Sequence, residues 1–227
     1  MARFQAIEFE DFSWFPKNIR NYMTDFFQFQ MAKFNLYSPV AEIVADVLQK
    51  SGEKEIVDLC SGGSGPLALL QQQLKEKHDL DIPVTLTDKF PNLPAFEKIK
   101  TTASGQFSYR EESTNVMAVP EELEGMRTLF SAFHHFPPKA AVSILQDAVD
   151  KKKPIGVFEL SNRKPSAFAQ VLLGGPIGLF FTTPFFRPLS LGRFVFTYLI
   201  PLVPFFAMWD GVGSNLRAYA PDEMQGL

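Results

Sequence analysis

The chain has 227 residues, with 22 Lys+Arg against 25 Asp+Glu for a net charge of −3, and it is 46% hydrophobic and 21% charged. That balance excludes wholesale disorder and leaves room for a full core. The slight acidity, with no Lys/Arg patch interleaved with aromatics, argues against nucleic acid as a partner. The single cysteine, Cys60, excludes an intrachain disulfide and a Cys-rich zinc module, and suits a reducing cytoplasm. The opening MARFQAIEFEDF carries acids where an export signal has a basic end and an apolar run, so none is expected.

Phenylalanine, 24 residues, gathers at the two ends of the chain. In chain order, Trp14-Phe15-Pro16 opens an aromatic helix on which Ile19, Tyr22, Met23, Phe26, Phe27 and Phe34 recur at three- and four-residue spacing. Ser38, as a cap, and Pro39, in the first turn, restart a helix that stops at Ser51-Gly52. From Lys54 short apolar runs alternate with helical stretches: strands over 55–59, 84–88, 106–109, 127–132 and 155–160, with helices over 66–77 and 139–150. Strand and helix alternating at this spacing predict parallel pairing in an open, doubly wound α/β sheet.

After Leu160 the texture changes. Residues 165–186 carry no charge, nor do 194–209, and Arg187 and Arg193 lie between the two stretches. Gly174, Gly175, Pro176, Gly178 and Pro184 interrupt the first stretch and Pro201 and Pro204 the second, which predicts a broken helical hairpin rather than two spans. It is expected to cover a substrate face or to dip into a membrane surface.

Between the first strand and the next helix lies Glu55-Ile-Val-Asp-Leu-Cys-Ser-Gly-Gly-Ser-Gly65. Glycines in such a turn let the backbone approach a ligand, and the N–H groups of the helix start favour anions. Asp88 ends the second strand, where an acid accepts hydrogen bonds from ribose hydroxyls. Glycine turn plus ribose acid predicts an adenosine-type cofactor. The spacing is not Gly-x-Gly-x-x-Gly, which disfavours a nicotinamide oxidoreductase.

This segment resembles the first motif of class I S-adenosylmethionine-dependent methyltransferases. In that register Asp58 is the acid, Cys60 stands for the first glycine, Gly62 matches the second and Ser64 stands for the third. Thr87-Asp88 resembles the ribose-binding motif, and Asn115-Val116 followed by Val119-Pro120 resembles the adenine-contacting segment, with Asn where the family has Asp. Thr128 to Phe136 resembles the fourth strand and its catalytic loop. The flanks, Trp14-Phe-Pro and Tyr198 to Trp209-Asp-Gly, resemble a bacterial methyltransferase-like group of unassigned substrate.

The resemblance implies a Rossmann-like, mostly parallel sheet, with an N-terminal helical cap over 1–52, a cofactor-binding core over 53–162, an apolar helical insertion after strand 5 over 163–218, and the start of a further helix over 219–227. It implies S-adenosylmethionine as cofactor and S-adenosylhomocysteine as product, held by Asp58, Cys60, Ser61, Gly62, Gly63, Asp88, Lys89, Asn115, Val116 and Ala132. His134 or His135, and Glu159, are the candidates for catalysis; as neighbours at a strand end the two histidines are expected to point in different directions. Tyr22, Met23, Phe26 and Tyr198 are candidates to line an acceptor pocket, with core packing as the competing role. No metal site is expected, since His78 is the only other histidine and no ligand spacing supports zinc.

The expected activity is methyl transfer to a hydrophobic or aromatic small molecule such as a lipid, quinone or polyketide-like compound. The rival expectation is a degenerate cofactor-binding or membrane-associated module without methyl transfer. Expected partners are the apolar acceptor, a membrane touched peripherally and a second copy of the chain, in a protein of the cytoplasm.

Overall fold

The structure is a computed structural model that describes residues 2–103, 105–187 and 189–227. Its principal elements are α1 (Lys17–Lys33), α2 (Val40–Ser51), β1 (Ile56–Asp58), α3 (Leu67–His78), β2 (Val84–Leu86), α4 (Leu93–Thr102), β3 (Phe107–Tyr109), β4 (Met126–Phe130), α5 (Pro138–Asp150) and β5 (Ile155–Phe158). After β5 come α6 (Pro165–Ala169), α7 (Gly175–Thr182), α8 (Leu191–Phe194), α9 (Leu202–Arg217) and α10 (Pro221–Gln225). The chain divides into two compact units, one of Gln30–Phe158 and one of Met1–Phe29 with Glu159–Leu227.

The first unit is built on a five-stranded, all-parallel sheet in the order β3-β2-β1-β4-β5. Strand order runs outward in both directions from β1, and α3, α4 and α5 are the crossovers that parallel neighbours require. This is a doubly wound, Rossmann-like α/β sheet, and its order reverses between β1 and β4, where ligands of such sheets bind at the carboxyl ends of the strands. All three residues of β1 are buried, as expected of a central strand covered on both faces. The register pairs Asp58 with Leu86 on one side and with Thr128 on the other, so the last residue of β1 lies between two neighbouring strand ends.

Helix α2 belongs to this unit and not to a separate N-terminal cap. Its apolar stripe, Val40, Ala41, Val44, Ala45 and Leu48, shares one core with Ile56, Leu70, Leu74, Val84 and Leu86. Ser38 is not its cap: Pro39 takes that place in helical conformation, and the Val40 N–H reaches the Tyr37 carbonyl at 2.9 Å. The helix ends as expected at Gly52, in the left-handed conformation with φ 76°.

In the second unit, Phe15, Ile19, Met23 and Phe26 form a core with Leu179, Phe186, Val203 and Ala207. The segment before α1 is strapped along α9. Asp210 accepts from the Phe9 and Glu10 N–H groups at 2.7 and 3.1 Å, and Arg217 donates to the Ala6 carbonyl and to Asp11, each at 2.6 Å. The indole N–H of Trp209 reaches the Ile7 carbonyl at 2.9 Å.

The glycines and Pro176 do not interrupt the first apolar stretch as expected. A π-turn over Gln170–Gly174 joins α6 to α7, with the Gly175 N–H bonded to the Gln170 carbonyl five residues back. The wider turn absorbs the proline without ending the helix. A second π-turn, Val195–Leu199, follows α8, and the break before α9 falls at Ile200-Pro201, where the helical axis bends by 73°.

Candidate functional site

The carboxyl ends of β1, β2 and β4 carry most of the sequence-predicted residues. Between β1 and α3 the backbone is left-handed four times: Cys60 (φ 63°), Gly62 (φ 51°), Ser64 (φ 74°) and Gly65 (φ 45°). Cys60 and Ser64, which stand where the resembled motif has glycines, keep the backbone conformation that glycine adopts most readily. A Cβ built on Gly62 or Gly65 would meet nothing within 4 Å, so the space beside the turn is open. Helix α3 begins behind it with no side-chain cap on its first N–H groups, the end that favours negative charge.

Asp88 reaches this turn. Its Oδ2 accepts the Gly62 N–H at 2.9 Å, and its Oδ1 accepts the Phe90 N–H at 2.8 Å. Each carboxylate oxygen retains a further lone pair, so the half-buried group can still accept from a diol.

Asp58 and Ser61 have a different setting. Asp58 is buried and accepts from the Thr128 hydroxyl at 2.6 Å. Burial pushes its carboxyl up to about 7, against the hydrogen bonds from Thr128 and Ser61 that favour the anion. The Ser61 hydroxyl donates to the Asp58 carbonyl at 3.0 Å and accepts the Thr87 N–H at 3.1 Å, so it knits β1 to β2. Both side chains are engaged in joining strand ends. Cys60 is half-buried, and burial followed by the nearby Asp88 and Asp58 charges raises its thiol well above the ordinary value, which disfavours thiolate chemistry.

The adenine-segment residues divide. Asn115 is exposed, and its side-chain oxygen accepts the Met117 N–H at 3.1 Å, a local turn that leaves one lone pair and the amide hydrogens. Val116 and Ala132 are buried, while Gly63 lies buried within the glycine turn and Lys89 is exposed beside Phe90.

Beyond β4 the two histidines do not diverge. The chain leaves the strand through Ser131, left-handed at φ 47°, and enters a 3-10 turn over Phe133–His135. Successive side chains on such a turn are about 120° apart rather than on opposite faces of a strand. The rings of His134, buried, and His135, half-buried, lie with centroids 4.3 Å apart. The sequence reading missed Tyr37, whose hydroxyl hydrogen-bonds Ser131 Oγ at 2.6 Å and whose ring packs edge-on against Phe130. The only available signal was a tyrosine just ahead of a helix, which carries no spacing.

The remaining candidates lie in the second unit. Met23 and Phe26 are core residues there. Tyr22 lies under the Arg193 guanidinium, and its hydroxyl hydrogen-bonds Ser190 Oγ at 3.0 Å. Tyr198 is 42% exposed and its hydroxyl donates to the Phe180 carbonyl. Glu159 follows β5 directly and is half-buried.

No protein-family model and no curated protein sequence matches the chain. Among solved structures, the chain is similar to the methyltransferase domain of bacterial CtHen1, at 16% identity and a TM-score of 0.37, over 52% of this chain. The chain spans about 62% of the length of that domain structure. The order β3-β2-β1-β4-β5 with all neighbours parallel by itself defines the doubly wound fold.

Proposed function

We propose that the protein is an S-adenosylmethionine-dependent methyltransferase acting on a hydrophobic small molecule. The observation that carries this reading is the Cys60–Gly65 turn, left-handed at four positions, open beside its glycines and bonded through Gly62 to the Asp88 carboxylate. The residues present suit the cofactor: Asp88 offers acceptors to ribose hydroxyls, the uncapped start of α3 favours its carboxylate, and Asn115 and Lys89 border the same strand ends. When bound, the cofactor supplies a methyl group on an electrophilic sulfonium.

The protein's own tasks are to align the acceptor, keep water out and take up the proton the acceptor releases. His134 and His135, with rings 4.3 Å apart beyond β4, are the side chains assigned that last task. Asp58 holds β1 to β4 and so maintains the turn on which the cofactor would rest. The apolar acceptor is inferred from the phenylalanine-rich segments that flank the sheet unit in sequence.

Calorimetric titration with S-adenosylmethionine, S-adenosylhomocysteine and NAD in turn tests the reading. The expected result is binding of both sulfur compounds and none of NAD. No binding to the folded protein overturns it, and tight binding without turnover on any apolar acceptor favours a binding module. His134→Ala and His135→Ala, made separately, are expected to lower turnover more than cofactor affinity in one of the two; wild-type activity in both would remove the base.

A further inference from the structure

Between Asn162 and Asp210 the charged residues are Arg163, Lys164, Arg187 and Arg193, with no acid, in a protein whose net charge is −3. Arg163 pairs with Glu223 and Arg193 with Asp25, both in the same unit. Lys164 and Arg187 are exposed and make no ion pair among the described residues. The same stretch of chain carries exposed apolar side chains: Leu173, Phe181, Phe185, Leu191 and Leu199 are 65–82% exposed. The helical run Pro165–Phe185 is long and apolar enough to cross a membrane, yet only 11% of its most apolar window is buried.

We propose that the outer face of residues 165–187 and 189–200 docks in the plane of an anionic lipid bilayer, with Leu173, Phe181, Phe185, Leu191 and Leu199 in the acyl boundary and Lys164 and Arg187 against the headgroups. Apolar area flanked by cations and free of acids is the composition by which interfacial helices bind anionic lipid. Tyr198 and Trp209, each about half exposed with a hydrogen-bonded polar atom, are the side chains that favour the membrane–water boundary.

A second copy is the weaker occupant, because a two-fold contact through this face would set Lys164 and Arg187 of one copy against those of the other, and residues 163–209 contain no acid to offset them. Crossing is opposed by geometry: Leu179, Val203 and Ala207 are committed to the unit's own core, and the second arm bends by 73° before α9. One face remains for lipid, which is the in-plane arrangement. The inference does not depend on methyl transfer.

The test is flotation of the full chain with large unilamellar vesicles, either of phosphatidylcholine alone or of phosphatidylcholine with about a third phosphatidylglycerol. The chain is expected to float with the anionic vesicles, at least about fivefold less with the neutral ones, and to be released by alkaline carbonate. Leu173→Ser/Phe181→Ser/Leu199→Ser, at exposed positions, is expected to abolish flotation with an unchanged melting temperature. Lys164→Glu/Arg187→Glu is expected to lower binding to anionic vesicles at least about tenfold and decides the matter if the triple variant does not fold.

Absence of flotation on both vesicles overturns the proposal, as does carbonate-resistant binding, which would mean crossing. So does wild-type flotation of the charge-reversal variant. A lipid-free dimer that the triple variant converts to monomer would reassign the face to a second copy. Calorimetry of the cofactor site is unaffected by any of these results, so failure here and failure of the methyltransferase reading are separable.

Discussion

The main-chain N–H of Gly62 donates to the Asp88 carboxylate at 2.9 Å, joining the turn after β1 to the end of β2. One acid thereby holds the shape of the turn and presents acceptors beside it. Asp88→Ala is expected to weaken S-adenosylmethionine binding by about 1.5–3 kcal/mol, the worth of a charged hydrogen bond, and Asp88→Asn by less because an oxygen is retained. Calorimetric titration of the folded variants checks this, and equal affinities across the set would refute the ribose role.

Cys60 and Ser64 hold left-handed backbone, at φ 63° and 74°, that costs a residue with a Cβ about 1–2 kcal/mol. Glycine removes that cost and returns about 0.5–1 kcal/mol through a more flexible unfolded chain. The Ser64 hydroxyl is also buried with no hydrogen-bond partner among the described residues. Cys60→Gly is therefore expected to stabilise by roughly 0.5–1 kcal/mol, and Ser64→Gly by roughly 1–2 kcal/mol. Urea unfolding at constant m-value measures both.

Asp58 carries the clearest pH signature. Its carboxyl lies at about 7 in the folded protein against an ordinary 3.8, because burial favours the neutral form. The folded state thus holds a proton that the unfolded chain releases. Its stabilising contribution is complete below about pH 4 and is lost as pH rises through 7, at most about 4 kcal/mol for three pH units. Asp58→Asn, which keeps an acceptor for Thr128, is expected to flatten this slope and to gain on wild type at pH 8 relative to pH 5. Parallel slopes in the two proteins would remove Asp58 as the cause.

The strap along α9 sets the order of the N-terminal segment. Arg217 is buried and holds the Ala6 carbonyl and Asp11, with Glu8 at 3.4 Å. Arg217→Ala leaves buried acidic and carbonyl groups without that cation and is expected to cost about 3–5 kcal/mol. Protease cleavage before α1 should accelerate with it. Asp210→Asn, which keeps one acceptor for the Phe9 N–H, is expected to cost less than Asp210→Ala.

The sheet was legible because its signals are local. Ile56-Val57-Asp58, Val84-Thr85-Leu86 and Met126 to Phe130 stand out as apolar runs between helical stretches, and the observed strands fall within one or two residues of the expected ones. The turn's glycines and the acid two residues past β2 are equally local. The histidine pair departs from strand geometry because β4 ends at Phe130 and Ser131 turns the chain into a 3-10 turn. The first arm of the apolar hairpin was expected to break at its glycines, and a π-turn carried the helix through them instead, while the second arm does break at Ile200-Pro201.

What the sequence alone determined was the order of strands and crossovers, the apolar flanks and the position of a glycine turn before an acid, since hydrophobic period and turn chemistry act over a few residues. Tertiary structure decided the rest. It tied Ser61 and Asp58 to neighbouring strand ends, moved the Asp58 carboxyl to about 7, and placed α2 in the core of the sheet. These outcomes depend on burial and on partners far away in sequence, such as Thr128 for Asp58. No local pattern encodes which distant groups will share a dry interior.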